Sequence, residues 1–436
     1  MRRRSLALPL LLVTFAACAD GAPARPASEP IAEARDALSA IQQAKLLAAD
    51  GQASDSFGTG VALDGDTAIV GAYQKSGAAG AAYVFVRSGA AWSQQAKLVA
   101  ADPSPGDCFG ISVSVSGDTA LIGAYGKLNG GQTAGAAYVF TRSGAVWSQQ
   151  AKLVPADNAA GDAFGISTAL DGDTALIGAM WKNQTRGAAY VFARSGVMWS
   201  QQAKLVAADG QPDDQLGNAV ALSGNLALIG AFHAGPKAPG SGAAYAFQRQ
   251  GDVWSLDAKL FPADGAATDF FGYALALSGT SALVGAPNNS QAGFDAGATY
   301  AFDRSTGSWS PQAKLLASNA AAVDNFGRAI AMNASSAVIG APLVQSFTGA
   351  AYLFTRASGG AWIEGPEMSA AAGQSDDRFG EYVALSGASA LIGAWGDDEK
   401  AMSAGAAYVF ALEGLEGTGG GASSSSGGGA GGSMTT

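Results

Sequence analysis

One block of twenty residues is written again and again along this chain. Residues 106–125 read GDCFGISVSVSGDTALIGAY, residues 54–73 SDSFGTGVALDGDTAIVGAY, and residues 161–180 GDAFGISTALDGDTALIGAM. The Phe-Gly pair inside the block recurs at Phe57, Phe109, Phe164, Phe271, Phe326 and Phe379, with Leu216-Gly217 in the fourth copy. The steps are 52 to 55 residues. Seven copies cover roughly residues 40–412. A period this long points to a solenoid, a propeller or an array rather than one ordinary core.

Each copy carries four short runs rich in Val, Ile, Tyr and Phe, set apart by Gly, Ser and Asp, as strands and turns require. In the second copy these are FGISVSV (109–115), TALIGAY (119–125), GAAYVFTR (135–142) and a run opening on WSQQAKL (147–153). Ser116-Gly117-Asp118 joins the first two with the length and composition of a tight hairpin. Along the first run, Phe109, Ile111, Val113 and Val115 alternate with Gly110, Ser112 and Ser114. Successive strand residues point to opposite faces. Each sheet therefore has a bulky face and a flat one, and one copy's bulky face packs on the flat face of the next. The expected fold class is all-β: a seven-bladed β-propeller of four-stranded antiparallel blades. The seventh copy stops after GAAYVFAL (405–412), while an orphan IQQAKLLA (41–48) precedes the first copy. This predicts a ring closed by the N-terminal strand, which completes the last blade. The outer run carries Lys45, Lys97, Lys152, Lys204, Lys259 and Lys314, read here as edge protection rather than a track for anions. Its Trp residues (92, 147, 199, 254, 309 and 362) read as packing.

The pairing of Phe-Gly with a downstream Gly-Ala-Pro, literal at Gly285-Ala286-Pro287 and Gly340-Ala341-Pro342, resembles the FG-GAP repeats of integrin α-subunit propellers and their bacterial relatives. The AAYVF and WSQQAKL runs are closer still to the bacterial form. The resemblance implies an extracellular seven-bladed propeller used in adhesion or recognition. Integrin-type repeats often hold calcium in an acidic loop between the first two strands. Here that turn reads Asp64-Gly65-Asp66, Ser116-Gly117-Asp118 or Ser278-Gly279-Thr280. It is too short and too poor in carboxylate to surround a hard cation, so no cofactor and no calcium are expected. An Asp stands two residues before each Phe-Gly or Leu-Gly pair: Asp55, Asp107, Asp162, Asp214, Asp269, Asp324 and Asp377. A ring of seven carboxylates is one reading. The favoured one makes each a structural loop carboxylate that accepts backbone N–H bonds and fixes its turn.

The ends are of another kind. Arg2, Arg3 and Arg4 precede the apolar stretch 6–17, which is too short to span a bilayer; residues 1–18 read as a signal peptide. Phe15-Ala16-Ala17-Cys18 resembles the lipobox of bacterial lipoproteins, which implies lipidation at Cys18 and an outer-membrane or cell-surface location. Simple cleavage and secretion is the alternative. Residues 19–37 are an Ala/Pro-rich linker, residues 38–412 the propeller, and residues 413–436 a Gly/Ser-rich tail expected to be disordered. Only Cys18 and Cys108 are present, so a lipidated Cys18 leaves no disulfide. The net charge of -10 and the lack of Lys/Arg clusters argue against a nucleic-acid partner.

Function is sought where the copies differ, in the loops between Gly-Ala-Pro and AAYVF. They carry Tyr73, Tyr125, Trp181, Phe232, His233, Phe294, Phe347 and Trp395, residue types suited to ligand contact or to covering the blade ends. The lone His233 reads as a solvated loop residue and gives no metal cluster. No nucleophile elbow, P-loop or CxxC pair is found. The expectation is a non-enzymatic, monomeric cell-surface module that binds an extracellular protein or glycan and meets the membrane only through Cys18. The alternatives are a carbohydrate-active enzyme using a loop carboxylate pair such as Asp213–Asp214, Asp376–Asp377 or Asp397–Asp398, or a purely structural envelope protein.

Overall fold

The computed structural model describes residues 38–415; Cys18, the signal and linker segments, and most of the Gly/Ser tail lie outside them. Seven four-stranded antiparallel sheets follow one another, with a short extra hairpin at residues 128–133. In the first blade the strands are Phe57–Asp64, Thr67–Ala72, Ala81–Ser88 and Ala91–Leu98, in spatial order. The first strands of neighbouring blades touch all the way round and form the inner ring. The seventh sheet is built from Tyr382–Ser386, Ser389–Ala394 and Ala406–Glu413, with Ser39–Leu46 paired antiparallel to the last of these. That last strand runs one residue past the boundary drawn from the sequence.

The motif itself joins the blades. A parallel bridge links the Gly before each AAY run to the Phe or Leu of the following blade: Gly80 to Phe109, Gly187 to Leu216, and, from seventh blade to first, Gly405 to Phe57. Each junction buries its own apolar cluster. Between the first and second blades, Ile69, Val84 and Leu98 meet Phe109, Val113, Ile122, Tyr138 and Phe140. The flat face is thus flat only near the axis; farther out it is filled by Val and Leu, as a wedge-shaped gap requires. Ile111 does not share this face with Val113. The inner strand is irregular just after the Phe-Gly pair, shown by the register shifts between Phe57 and Gly60 and between Phe164 and Thr168. Ile111 instead joins Ile166 and Met180 in a separate cluster.

A polar lattice pins each connection to the blade it enters. Asp102 accepts from Tyr138 at 2.7 Å and from Lys152 at 2.8 Å; Asp50 and Asp157 are bonded alike. Burial pushes these carboxyls up, but the Lys and Tyr hydrogen bonds outweigh it and hold them below the usual range. The outer lysines thus bind carboxylates and do more than guard an edge. In the sixth blade both partners change together, and Asn319 donates to Glu367. In the seventh, Ala372 stands at the Asp position, and Asp397 from another loop takes Tyr408 and Lys45 instead. The tryptophans cement neighbours: Trp147 donates to Gln95 of the first blade, and Arg142 stacks on Trp147.

Candidate functional site

The two ends of the ring differ. At one end, the turns after the first strands meet the hairpins between third and fourth strands, and the same bonds recur. Arg87, Arg142 and Arg194 each pair with an Asp in their own blade (Asp66, Asp118, Asp173) and reach the preceding blade's Ser or Thr (Ser389, Thr67, Thr119). Asp64 and Asp171 cap Gly117 and Gly224 of the following blade. These turn carboxylates are committed to structural bonds, Asp66, Asp118 and Asp173 within their own blade and Asp64 and Asp171 to the next. Among the described residues, no three His, Cys, Asp or Glu side chains converge as metal ligands would.

At the other end, the blade-to-blade connections meet the variable loops. Carbonyls of each loop accept from the connection of the next blade, as when Cys108 N–H donates to Ala78 O and Arg378 N–H to Phe347 O, both at 2.8 Å. All seven loop carboxylates make one bond in common: Asp55, Asp107, Asp162, Asp214, Asp269, Asp324 and Asp377 each accept the backbone N–H three residues earlier, at 2.6 to 2.9 Å. In three blades a buried lysine from the loop lies on this carboxylate: Lys75 on Asp55, Lys127 on Asp107 and Lys182 on Asp162, at 2.7 to 2.9 Å. Asn289 takes that place against Asp269. In the fourth and sixth blades the position is Ala234 or Val344, and burial pushes Asp214 and Asp324 above the usual range.

Lys182→Met should therefore cost about 3 kcal/mol, because it strands a buried carboxylate. The variant would share with the fourth and sixth blades, those of Asp214 and Asp324, the lack of a lysine at this loop position. A carboxyl raised in the folded state contributes stability below the ordinary Asp value of about 3.9 and loses it as pH rises through the raised value. The variant's deficit should thus be larger at pH 7 than at pH 4. Thermal melts at the two pH values check this; an equal deficit would mean that Lys182 acts by packing alone.

The eight residues singled out in the loops do not form one exposed surface. Tyr73, Tyr125 and Trp181 are half-buried against the Ile111–Ile166–Met180 cluster, with Tyr125 edge-on to Trp181 at 6.3 Å. Phe232 meets Tyr273 and Phe270 at 5.4 and 5.5 Å. His233 is not the solvated residue expected: it stacks on Phe270 at 5.2 Å, and burial lowers its pKa. Trp395 is partly buried on the core between the seventh and first blades. Phe294, 69% exposed, and Phe347, 39%, are the two that face solvent most openly. The carboxylate pairs are divided among separate tasks. Asp214 and Asp377 hold their turns, Asp213 accepts from Thr185, Asp397 binds Lys45 and Tyr408, and Asp398 accepts Ser403 N–H.

A second set was visible in the sequence only as a position too variable to be a designed thiol site at Cys108, and was not counted among the site residues. The residue before each Phe-Gly or Leu-Gly pair is Ser56, Cys108, Ala163, Gln215, Phe270, Asn325 or Arg378, and all seven have φ between +54° and +59°. This left-handed conformation costs a non-glycine residue about 1 kcal/mol. The side chains meet the loop residues: Gln215 approaches His233 at 3.4 Å, Asn325 donates to Pro287 O, and Arg378 stacks on Trp395 and Phe347 at 5.2 and 5.4 Å. Next to them, Arg328 pairs with Glu381 at 2.8 Å over the Tyr273 ring. The signal was legible: the most changeable position of the repeat sits inside its most uniform stretch.

A search of curated proteins finds no match. The FG-GAP repeat family matches seven segments, residues 41–85, 92–140, 147–192, 199–247, 254–302, 309–354 and 362–410. Each segment runs from an outer strand through the following blade's third strand, so the matched unit is offset by one strand from the sheet it helps build. With seven matched segments and the seven inter-blade bridges made by the motif's own residues, this chain belongs to the FG-GAP repeat family.

Proposed function

We propose that the protein is a non-enzymatic recognition or adhesion module of the cell surface, which binds an extracellular protein or glycan through the loop end of the propeller. The observation that carries this reading is the contrast between the ends. One repeats largely the same Arg–Asp and Arg–Thr bonds, as a scaffold would. The other keeps a common backbone lattice and changes the side chains on it from blade to blade, which is how a rigid frame supports a specific surface. Export and a lipid anchor at Cys18 would place that surface outside the cell, and no second chain is required to complete it.

The test is binding of the purified full chain to a glycan array and to a panel of immobilised extracellular proteins. Phe294→Ala combined with Phe347→Ala should weaken a ligand bound over the fifth and sixth blades' loops by about tenfold or more, as exposed aromatic anchors do, with an unchanged melting temperature. Binding untouched by these changes, by Trp181→Ala and by Tyr73→Ala would count against the loop end. Release of reducing sugar by the native protein would replace the reading with the carbohydrate-active alternative.

A further inference from the structure

The connection into the first blade and that blade's own loop flank an open groove of about 510 Å3 at the loop end. Its volume falls in the ~300–1,000 Å3 range of small-molecule sites. The groove is lined by Gln52, Ser54, Asp55, Tyr73, Gln74 and Ser76, together with small residues of the two segments. Its one charged lining group, Asp55, is buried and already neutralised by Lys75 at 2.7 Å. What faces the groove is therefore uncharged. Tyr73 is half-buried on the Ile111–Ile166–Met180 cluster, and its hydroxyl accepts from Gln74 Nε2 at 2.6 Å, which fixes both side chains. Gln52, Ser54 and Ser76 are exposed residues.

The backbone around the groove is strained. Ser54, Ser56, Ser76 and Ala78 have φ of 63°, 54°, 55° and 62°, and Gly77 of 68°. Three successive left-handed residues, Ser76 to Ala78, are held by Gly106 N–H on Gly77 O and Cys108 N–H on Ala78 O. The strain is sustained by neighbouring blades and keeps the groove in one shape before any ligand arrives.

We infer that this groove is a subsite for an uncharged carbohydrate, with one sugar ring against Tyr73 and its hydroxyls bonded by Gln52, Gln74, Ser54 and Ser76. A sugar hydroxyl both donates and accepts, as amides and serine hydroxyls do, and the apolar side of a pyranose suits an aromatic ring with a polar tip. An acidic or basic ligand would need a counter-charge that the groove does not present. The inference rests on the proposed binding at the loop end and narrows it to one ligand class and one blade.

The experiment titrates the full chain with neutral homo-oligosaccharides of glucose, galactose, mannose and N-acetylglucosamine, and in parallel with uronate-bearing oligosaccharides and the protein panel. A neutral oligosaccharide should bind, and Gln74→Ala and Ser76→Gly should each weaken it by about threefold to tenfold (0.65 to 1.4 kcal/mol). Tyr73→Ala should weaken it more, and Gln74→Ala guards against loss of fold in that variant. Neutral-sugar binding unaffected by all three changes would overturn the subsite and leave the loop-end reading standing. So would binding confined to uronates or proteins. Failure to bind any member of the three panels would overturn both.

Discussion

Deleting residues 38–48 should lower the unfolding midpoint of the whole ring rather than trim an end. Ser39–Leu46 is registered on Ala407–Glu413 and supplies what the outer strand supplies elsewhere. Gln42 accepts Ala371 N–H at 3.1 Å as Gln94 accepts Ala49 N–H at 3.0 Å. Lys45 lies on Tyr408 and reaches Asp397 at 2.8 Å and Glu399 at 2.6 Å. Leu46 and Ala48 are buried in the core between the seventh and first blades, while Ala40 and Leu47 pack on the one before it. Losing Leu46 costs about 2 kcal/mol, and each lost ladder bond about 1 kcal/mol. A total of about 5 kcal/mol or more is a large share of the roughly 5–15 kcal/mol of an ordinary domain. The deletion also bares Ala406–Glu413 as an unprotected edge, so aggregation should accompany the fall. Circular-dichroism melts and gel filtration read both effects. A single cooperative transition at the native midpoint would show the strand to be an appendage.

Gly123→Ala should be nearly as damaging, although it adds one methyl group. A Cβ at Gly123 would stand 1.9 Å from Gly165 O and 2.9 Å from Gly165 C, backbone atoms of the next blade's own Phe-Gly pair. The Ser112 hydroxyl, 2.3 Å away, could turn aside, but the Gly165 backbone cannot; the blades must separate. That displacement opens a junction, and the cost should reach about 4 kcal/mol or more, the range of severe overpacking. Gly117→Ala is the comparison. Gly117 has φ +54° and nothing within 4 Å of its would-be Cβ, so only the left-handed turn is penalised, by about 1 kcal/mol. Urea titrations of the two variants should give midpoints far apart. Equal midpoints would refute the close approach of Gly123 to Gly165 as the reason for the motif.

These two glycines show how far the sequence could be read. The Phe-Gly spacing gave the blade count, and the hairpin Ser116-Gly117-Asp118 could be recognised locally. Gly123 looked like an ordinary strand residue, because its constraint comes from a carbonyl 42 residues away in the next blade. The alternation of Phe109, Ile111 and Val113 misled for a related reason: the irregularity after Phe-Gly turns Ile111 out of the junction and toward Tyr73, Tyr125 and Trp181. Asp55 and its six counterparts were visible as a pattern, whereas the lysines lying on three of them were hidden in loops of differing composition. Arg378 and the six residues equivalent to it were not counted among the site residues because propensity offers no reason to place them in a left-handed conformation.

By itself, the sequence determined the repeat, the strand pattern within it, and the need for each unit to find its complement in a copy of itself. Those follow from periodicity and from the size of alternate side chains, which are local properties. Only the tertiary structure decided which loop residues are sunk into the mouth of the ring and which, like Phe294, stay exposed. It alone showed where seven strained residues display their side chains, and which groove is left uncharged. Those depend on contacts between segments remote in sequence, where a carbonyl of the next blade or a buried Lys–Asp pair within one blade outweighs local preference.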